Sequence, residues 1–140
     1  MQNYRKLNVW VNSMDIAIEL YKIVDEFQVK DQIAIGTQIK KSAVSIPSNI
    51  AEGTSRRSSR DFSRFLEIAQ GSAFELETQL EIAKRCDLID AEIAEKYLFQ
   101  LAGLKAGIYK LNESVLRKMN SFGVLTIGVI AAALITILFA

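Results

Sequence analysis

Residues 45–53 read SIPSNIAEG, and this stretch decides the fold because it places the only proline inside an otherwise helical pattern. Pro47 cannot donate a backbone hydrogen bond and its ring clashes with the carbonyl group of Ala43, so a helix that passes through it has to bend. Nearby hydroxyl groups are placed to satisfy the freed carbonyl oxygen, namely those of Ser42, Ser45 and Ser48. We therefore predict a kinked helix that ends at Gly53 in left-handed backbone angles.

Apolar residues recur at spacings of three and four on both sides of this stretch, which predicts four amphipathic helices. The first helix, about Val9–Phe27, carries Trp10, Met14, Ala17, Tyr21 and Val24, widened by Leu20, Ile23 and Phe27. The second, about Asp31–Glu52, carries Ile35, Ile39, Ala43, Ile46 and Ile50. The third carries Phe62, Leu66, Ala69, Ala73, Leu76, Leu80 and Ala83, and the fourth Tyr97, Leu101, Leu104, Ile108, Leu111 and Val115. Short connections favour antiparallel neighbours, so the expected fold is an all-α, up-down four-helix bundle with a kinked second helix.

Polar and small residues mark the ends and contacts of the later helices. Ser58 is expected to cap the third helix, with Asp61 three residues later completing a capping box. Asp90 is expected to cap the fourth helix. A patch of small residues in the middle of the third helix, Gly71, Ser72 and Ala73, would let a neighbouring backbone approach closely.

The composition argues against an enzyme. The chain of 140 residues has no histidine and only one cysteine, Cys86, which excludes a histidine base, an internal disulfide and the usual zinc sites. The carboxylates of the third helix, Glu67, Glu75 and Glu81, are typical of the solvated face of an amphipathic helix. We therefore predict a non-enzymatic protein with no metal and no cofactor, from a reducing compartment.

Charge is segregated along the chain although the net charge is only +1. Residues 36–64 hold six cations and two carboxylates, a net charge of +4, whereas residues 65–95 hold eight carboxylates and two cations, a net charge of −6. Such a distribution suits a subunit that presents a basic surface to one partner, or one that pairs opposite faces on assembly.

The basic segment contains the candidate nucleic-acid-binding residues, which are Lys40, Lys41, Arg56, Arg57, Arg60 and Arg64. Guanidinium groups bind phosphates in a bidentate way without reading the bases. Two alternatives remain open: a solvated loop that only aids solubility, and arginines that pair with Glu75 or Glu81 of a neighbouring subunit.

Two stretches carry a family resemblance. Residues 38–84, QIKKSAVSIPSNIAEGTSRRSSRDFSRFLEIAQGSAFELETQLEIAK, and residues 7–27, LNVWVNSMDIAIELYKIVDEF, closely resemble the four-helix-bundle proteins encoded in intervening sequences of bacterial 23S ribosomal RNA genes, the S23-type family. The resemblance covers about Tyr4 to Lys118. The chain departs from the family at Gln28, where relatives usually have proline.

The resemblance implies an assembly and a class of partner. Members of this family are similar to the accessory protein of diversity-generating retroelements, a basic pentameric barrel that associates with a reverse transcriptase and nucleic acid. By that likeness the chain is expected to form a homo-oligomer, a pentamer, that serves as a scaffold for RNA or for a nucleic-acid enzyme. Asn49 and Glu52 are then buried polar contacts near the kink or between subunits, and they specify packing rather than catalysis.

The chain ends in a stretch without charge. Residues 119–140 contain no charged residue, and a helix of that length would be about 33 Å long, the thickness of a bilayer core. Arg117 and Lys118 precede it, so the positive-inside tendency predicts a bundle, residues 1–118, on the cytoplasmic side of the inner membrane. Alternatively, the tail packs inside an oligomer or is an extension present in this chain alone. The rival to the RNA scaffold is therefore a membrane-attached structural oligomer with no nucleic-acid role.

Overall fold

The computed structural model describes the backbone of residues 3–139 and the side chains of residues 3–118. A 3₁₀ turn (Tyr4–Lys6) precedes helix α1 (Asn8–Asp25). The short helix α2 (Val29–Asp31) and a π-helical segment (Gln32–Gly36) lead without a break into α3 (Thr37–Thr54), which is followed by α4 (Ser59–Arg85) and α5 (Ala91–Phe139). The described backbone contains no strand, and the predicted all-α class is confirmed.

The four long helices close into a bundle, as predicted. Helix α3 packs against α1 and α4, and α5 packs against α4 and, less extensively, α1. Two ion pairs show that α4 and α5 run antiparallel, because Lys84 pairs with Glu95 at 2.7 Å and Lys105 pairs with Glu77 at 2.6 Å. Large side chains from all four helices are fully buried in one core, among them Leu20, Ile46, Leu66, Leu76 and Leu101.

The buried face of α1 is rotated from the predicted one. Tyr21 is 41% exposed, whereas Ser13 and Ile16 are buried. The rotation follows from the position of α1 between α3 and α5, which centres its core face between the two neighbours. The hydroxyl of Ser13 is satisfied in the core because it donates to the carbonyl oxygen of Trp10 at 2.8 Å.

Gly53 does not end its helix in left-handed backbone angles, so that prediction is wrong. None of the described glycines has a positive φ, and α3 continues to Thr54. Gly53 is needed for a close approach instead, because a Cβ atom there would lie 2.7 Å from Cδ2 of Phe62 and 2.9 Å from Cβ of Phe65. The end of α3 therefore packs directly on the first turns of α4.

A residue with left-handed backbone angles follows the C-terminal end of α4. Asp87 has a φ of 56°, a conformation in which aspartate is found more often than most residues. The amide of Leu88 donates to the carbonyl oxygen of Ala83 at 2.9 Å, and that of Asp87 donates to Lys84 at 3.1 Å. These two bonds form a Schellman motif, which satisfies the last carbonyl groups of α4.

Helix α3 is continuous through Pro47. The neighbouring serines do not bond to the carbonyl oxygen of Ala43, contrary to the prediction. Ser48 donates to the carbonyl oxygen of Val44 at 2.8 Å rather than to that of Ala43. A serine hydroxyl in a helix reaches the carbonyl three or four residues before it, which puts Ala43 out of line for all three serines. Ser42 and Ser45 face α4, where they bond to Gln79 at 2.6 Å and to Ser72 at 2.7 Å.

The small-residue patch of α4 is only partly a contact surface. Ser72 and Ala73 are buried, and Ser72 meets α3 as predicted. The prediction fails for Gly71, because it is exposed and no atom lies within 4 Å of where its Cβ would be. Each residue turns an α-helix by about 100°, so three consecutive residues cannot all face one neighbour.

The two polar residues of the SNIAEG stretch differ in burial. Asn49 is half-buried and donates through Nδ2 to the carbonyl oxygen of Ser45 at 2.8 Å. Glu52 is exposed and pairs with Arg56 one turn later, so its predicted burial is wrong within the single chain. The side chain lies on the solvent side because Gly53 and Ile50 occupy the face that packs on the core.

Both predicted N-caps of the long helices are present. The hydroxyl of Ser58 accepts a hydrogen bond from the amide of Asp61 at 3.0 Å and donates to the Asp61 carboxylate at 2.5 Å. The carboxylate of Asp90 accepts from the amides of Glu92 and Ile93 at 2.9 and 3.3 Å. These bonds satisfy amide groups that have no partner within their own helix.

The predicted membrane anchor, residues 119–140, lies outside the residues whose side chains are described. Among the described residues, no helix offers an apolar run of the length that a bilayer crossing requires. The division into residues 1–118 and 119–140 stays a prediction.

Candidate nucleic-acid interface

The connection between α3 and α4 carries the arginines of the candidate interface. Arg56 and Arg57 lie in the loop, and Arg60 and Arg64 lie on the first two turns of α4. Arg60 and Arg64 are four residues apart and therefore lie on the same side of that helix. The loop is held in place from both sides, by the packing of Gly53 against Phe62 and by the Ser58 cap.

Arg56 is committed to contacts within the chain. Its guanidinium group pairs with the carboxylate of Glu52 and lies over the ring of Phe65, 4.5 Å from the ring centroid. The arginine side chain thereby covers an apolar ring that would otherwise face water. Arg56 therefore stabilises the junction between α3 and α4, and only part of its charge is available to a ligand.

Arg57, Arg60 and Arg64 are the available cations of the loop. All three are exposed, and in the described part of the chain none of them makes an ion pair with a carboxylate. Arg57 precedes the N-terminus of α4, and Arg60 and Arg64 follow it, so all three lie near the partial positive charge of the helix dipole. This arrangement favours an anionic ligand with several phosphates rather than one small anion.

Lys40 and Lys41 are not brought to this loop. They lie 14 and 13 residues before the end of α3 at Thr54, which separates them from the loop by about 20 Å along the helix axis. Lys40 pairs with Asp25 at 2.5 Å, and its ammonium group lies 4.8 Å from the centroid of the Tyr21 ring. Lys41 is exposed beside Glu75, so the six predicted cations form two separate groups.

Sequence reasoning did not single out Arg5 and Lys6. They lie in the 3₁₀ turn before α1, and both are exposed without an ion pair among the described residues. The available signal was the order of the chain: in an up-down bundle, the start of the first helix and the loop between the second and third helices lie at the same end. That rule places Arg5 and Lys6 at the same end as the loop arginines.

A network of one buried and two exposed polar side chains connects α1 to α5 away from this loop. The hydroxyl of Tyr97 donates to the carboxylate of Glu19 at 2.6 Å, and Lys96 reaches the same carboxylate at 3.3 Å. Burial is the larger cause and the hydrogen bond to Glu19 the smaller cause that together raise the pKa of Tyr97 to about 12. The hydrogen bond from the Tyr97 hydroxyl lowers the pKa of Glu19 below its ordinary value, and the bond from Lys96 lowers it further by a smaller amount. These contacts align two helices, and they lie beside a polar groove of about 660 Å³.

No arrangement for catalysis or for a metal ion emerges from the described side chains. Among them, no three acidic, cysteine or histidine residues come together as metal ligands. Cys86 is exposed near the end of α4. The predicted lack of enzymatic activity stays a prediction.

Comparisons with known proteins agree on one family. A family model described as 23S rRNA-intervening sequence protein matches residues 5–110. A crystal structure at 1.70 Å of a protein of unknown function from the S23 ribosomal protein family of Bacteroides thetaiotaomicron VPI-5482 is 27% identical, with a TM-score of 0.69. The match covers 75% of this chain and 95% of that one. No curated protein matches this chain.

Proposed function

This chain belongs to the family of 23S rRNA-intervening sequence proteins, and from that premise we propose that it is a non-enzymatic, homo-oligomeric scaffold that binds RNA. The observation that carries the proposal is the group formed by Arg57, Arg60 and Arg64, which are exposed and unpaired within the described residues. Guanidinium groups of this kind bind phosphates without reading a sequence. The expected partner is therefore an RNA recognised through its backbone.

Apolar side chains on the outer faces of the bundle support assembly with further copies. Phe99 on α5 is 81% exposed, and Ile68 and Phe74 on α4 are also exposed. Such side chains mark a binding site where a partner gathers them into one covered surface. A second copy of the chain would cover these faces, and the family resemblance suggests five copies in a ring.

The test compares RNA binding by the full chain with binding by a charge-reversed variant. The triple variant Arg57→Glu, Arg60→Glu and Arg64→Glu is expected to weaken binding at least tenfold at low salt, because it removes three phosphate contacts. Arg56 is left unchanged because it packs on Phe65. The matched control reverses three exposed cations elsewhere, Lys22, Lys30 and Lys41, with the same change in net charge.

The outcome separates a site from a general charge effect. The proposal requires that the control variant keeps most of the binding and that both variants keep the assembly state of the unchanged chain. An equal loss in the two variants, or no RNA binding by the unchanged chain at low salt, would overturn it.

The rival function is a membrane-attached structural oligomer. It is favoured by the sequence of residues 119–140, which has no charge and follows directly on Arg117 and Lys118. In that case the triple arginine variant behaves as the unchanged chain. Deletion after Lys118 then moves the protein from the membrane pellet to the supernatant.

A further inference from the structure

Three separate segments of the chain bring cations to one end of the bundle. The first is the turn before α1, which carries Arg5 and Lys6. Tyr4, the first residue of this turn, lines a groove together with Pro47 and Ala51, so the turn lies beside the last turns of α3. The second segment is the α3–α4 loop, which follows directly from those turns.

The third segment is the part of α5 around residues 110–118. The ion pair between Glu77 and Lys105 sets the antiparallel register of α4 and α5. Arg64 lies thirteen residues before Glu77 on α4, and Lys118 lies thirteen residues after Lys105 on α5, so Arg64 comes level with Lys118. On the other side of α5, a Cβ at Gly107 would lie 2.9 Å from Val9, so Lys110 comes level with the turn before α1.

The end formed by these three segments is strongly basic, and we call it the basic end. Its cations are Arg5, Lys6, Arg56, Arg57, Arg60, Arg64, Lys110, Arg117 and Lys118, and its carboxylates are Glu52, Asp61, Glu67 and Glu113. The net charge is therefore +5 at this end of a chain whose total is +1. At the opposite end, seven carboxylates between residues 25 and 31 and between 84 and 95 outnumber three cations.

The aromatic rings at the basic end are mostly covered. Tyr4 packs edge-on against Trp10 with 5.0 Å between ring centroids, and Arg5 lies 5.8 Å from the Tyr4 ring. The ring of Phe65 is covered by Arg56. Of the described rings, Phe74 and Tyr109 are the exposed ones that border this end, and Lys105 lies over the Phe74 ring, 4.5 Å from its centroid. Proteins that bind single strands stack successive bases on several open rings, which this end does not offer.

We propose that the basic end as a whole binds double-helical RNA, an inference that rests on the proposed function and names its substrate class. A duplex keeps its bases stacked inside, so a protein surface recognises its shape and its phosphates. A four-helix bundle is about 20 Å across, similar to a duplex, because its helices lie about 8–10 Å apart. Cations from three segments then contact phosphates on both strands, whereas the α3–α4 loop alone contacts only one part of the duplex.

The test measures the salt dependence of binding of the full chain to two RNA probes. One is a hairpin with a stem of about 16 base pairs, and the other is single-stranded poly(U) with the same number of phosphates. The hairpin is expected to bind at least tenfold more tightly. The variant Arg5→Gln with Lys6→Gln is expected to reduce the magnitude of the negative slope of log K against log salt by about 2. Each lost phosphate contact reduces this magnitude by about 1.

Two control variants make the result specific. The variant Lys30→Gln with Lys41→Gln loses the same charge away from the basic end, and the slope should stay unchanged. Tyr109→Ala should leave hairpin binding unchanged, since no base stacks on this ring in a bound duplex. Circular dichroism establishes that each variant keeps the helical content of the unchanged chain.

The possible failures are distinguishable. If the arginine-loop variant loses RNA while the Arg5 and Lys6 variant keeps the full slope, the inference fails and the proposed function stands. The same holds if poly(U) binds as tightly as the hairpin, or if Tyr109→Ala weakens binding. If neither probe binds the unchanged chain at low salt, both fail.

Discussion

At the scale of single residues, Gly53 and Gly71 show that a helical glycine can serve opposite purposes. Gly53 lies against Phe62 and Phe65, whereas Gly71 faces open space. We expect Gly53→Ala to lower the free energy of unfolding by about 1–3 kcal/mol, because the added methyl group forces the α3–α4 contact apart. Gly71→Ala should raise it by about 0.5–1 kcal/mol through helix propensity. Urea unfolding followed by circular dichroism measures both, and effects of the same sign would contradict the assigned environments.

The Tyr97 hydroxyl stabilises the folded chain, and this contribution is lost at high pH. Its pKa is raised to about 12 from an ordinary value of 10.0, so the folded state holds the hydroxyl proton more tightly than the unfolded state. This stability is fully present below pH 10, and it is lost as the pH rises towards 12. At about 1.4 kcal/mol per pKa unit, the loss is about 2–3 kcal/mol.

The check is the free energy of unfolding between pH 9 and pH 12 for the unchanged chain and for Tyr97→Phe. The variant has no titrating hydroxyl at this position, so its decline should be shallower. Parallel declines in the two proteins would show that other groups cause the loss.

At the scale of elements, the entry into α3 joins two helices through one side chain. The Nε2 atom of Gln32 donates to the carbonyl oxygens of Asp25 and Phe27 at 2.9 and 2.8 Å, so it caps the end of α1 from the π-helical segment. Gln32→Ala should lower the free energy of unfolding by about 1–2 kcal/mol, because both carbonyl groups lose a donor. Gln38→Ala removes an exposed amide from α3 and should change it by less than about 0.5 kcal/mol. Thermal unfolding of the two variants makes the comparison, and equal shifts would argue against the capping role.

The sequence predicts helices and caps well because they depend on local patterns. The spacing of Leu66, Leu76 and Leu80 is enough to identify the buried face of α4, and Ser58 and Asp90 are caps as expected. The π-helical segment was missed because it arises from packing: a Cβ at Gly36 would lie 2.6 Å from Val24. The conformation of Gly53 was predicted wrongly for the same reason, since its close neighbours belong to α4.

At the scale of the whole molecule, the interface depends on how the helices are ordered in space. The cluster of arginines in the α3–α4 loop is evident from residues 56–64 alone. The separation of Lys40 and Lys41 from it, and the contribution of Arg5 and Lys6, follow only once helix directions and lengths are known. Charge in this chain is therefore organised by topology, with one basic end and one acidic end.

The core predicts how the chain behaves without its uncharged C-terminal stretch. The buried apolar side chains of the described residues all lie between Ile16 and Val115. We therefore expect a chain that ends at Lys118 to unfold cooperatively, within a few degrees of the full chain, and to keep the same number of subunits. Thermal unfolding by circular dichroism and the mass in solution by light scattering are the measurements. A chain that assembles only when residues 119–140 are present would contradict this expectation, because the uncharged stretch would then pack inside the oligomer and hold its subunits together.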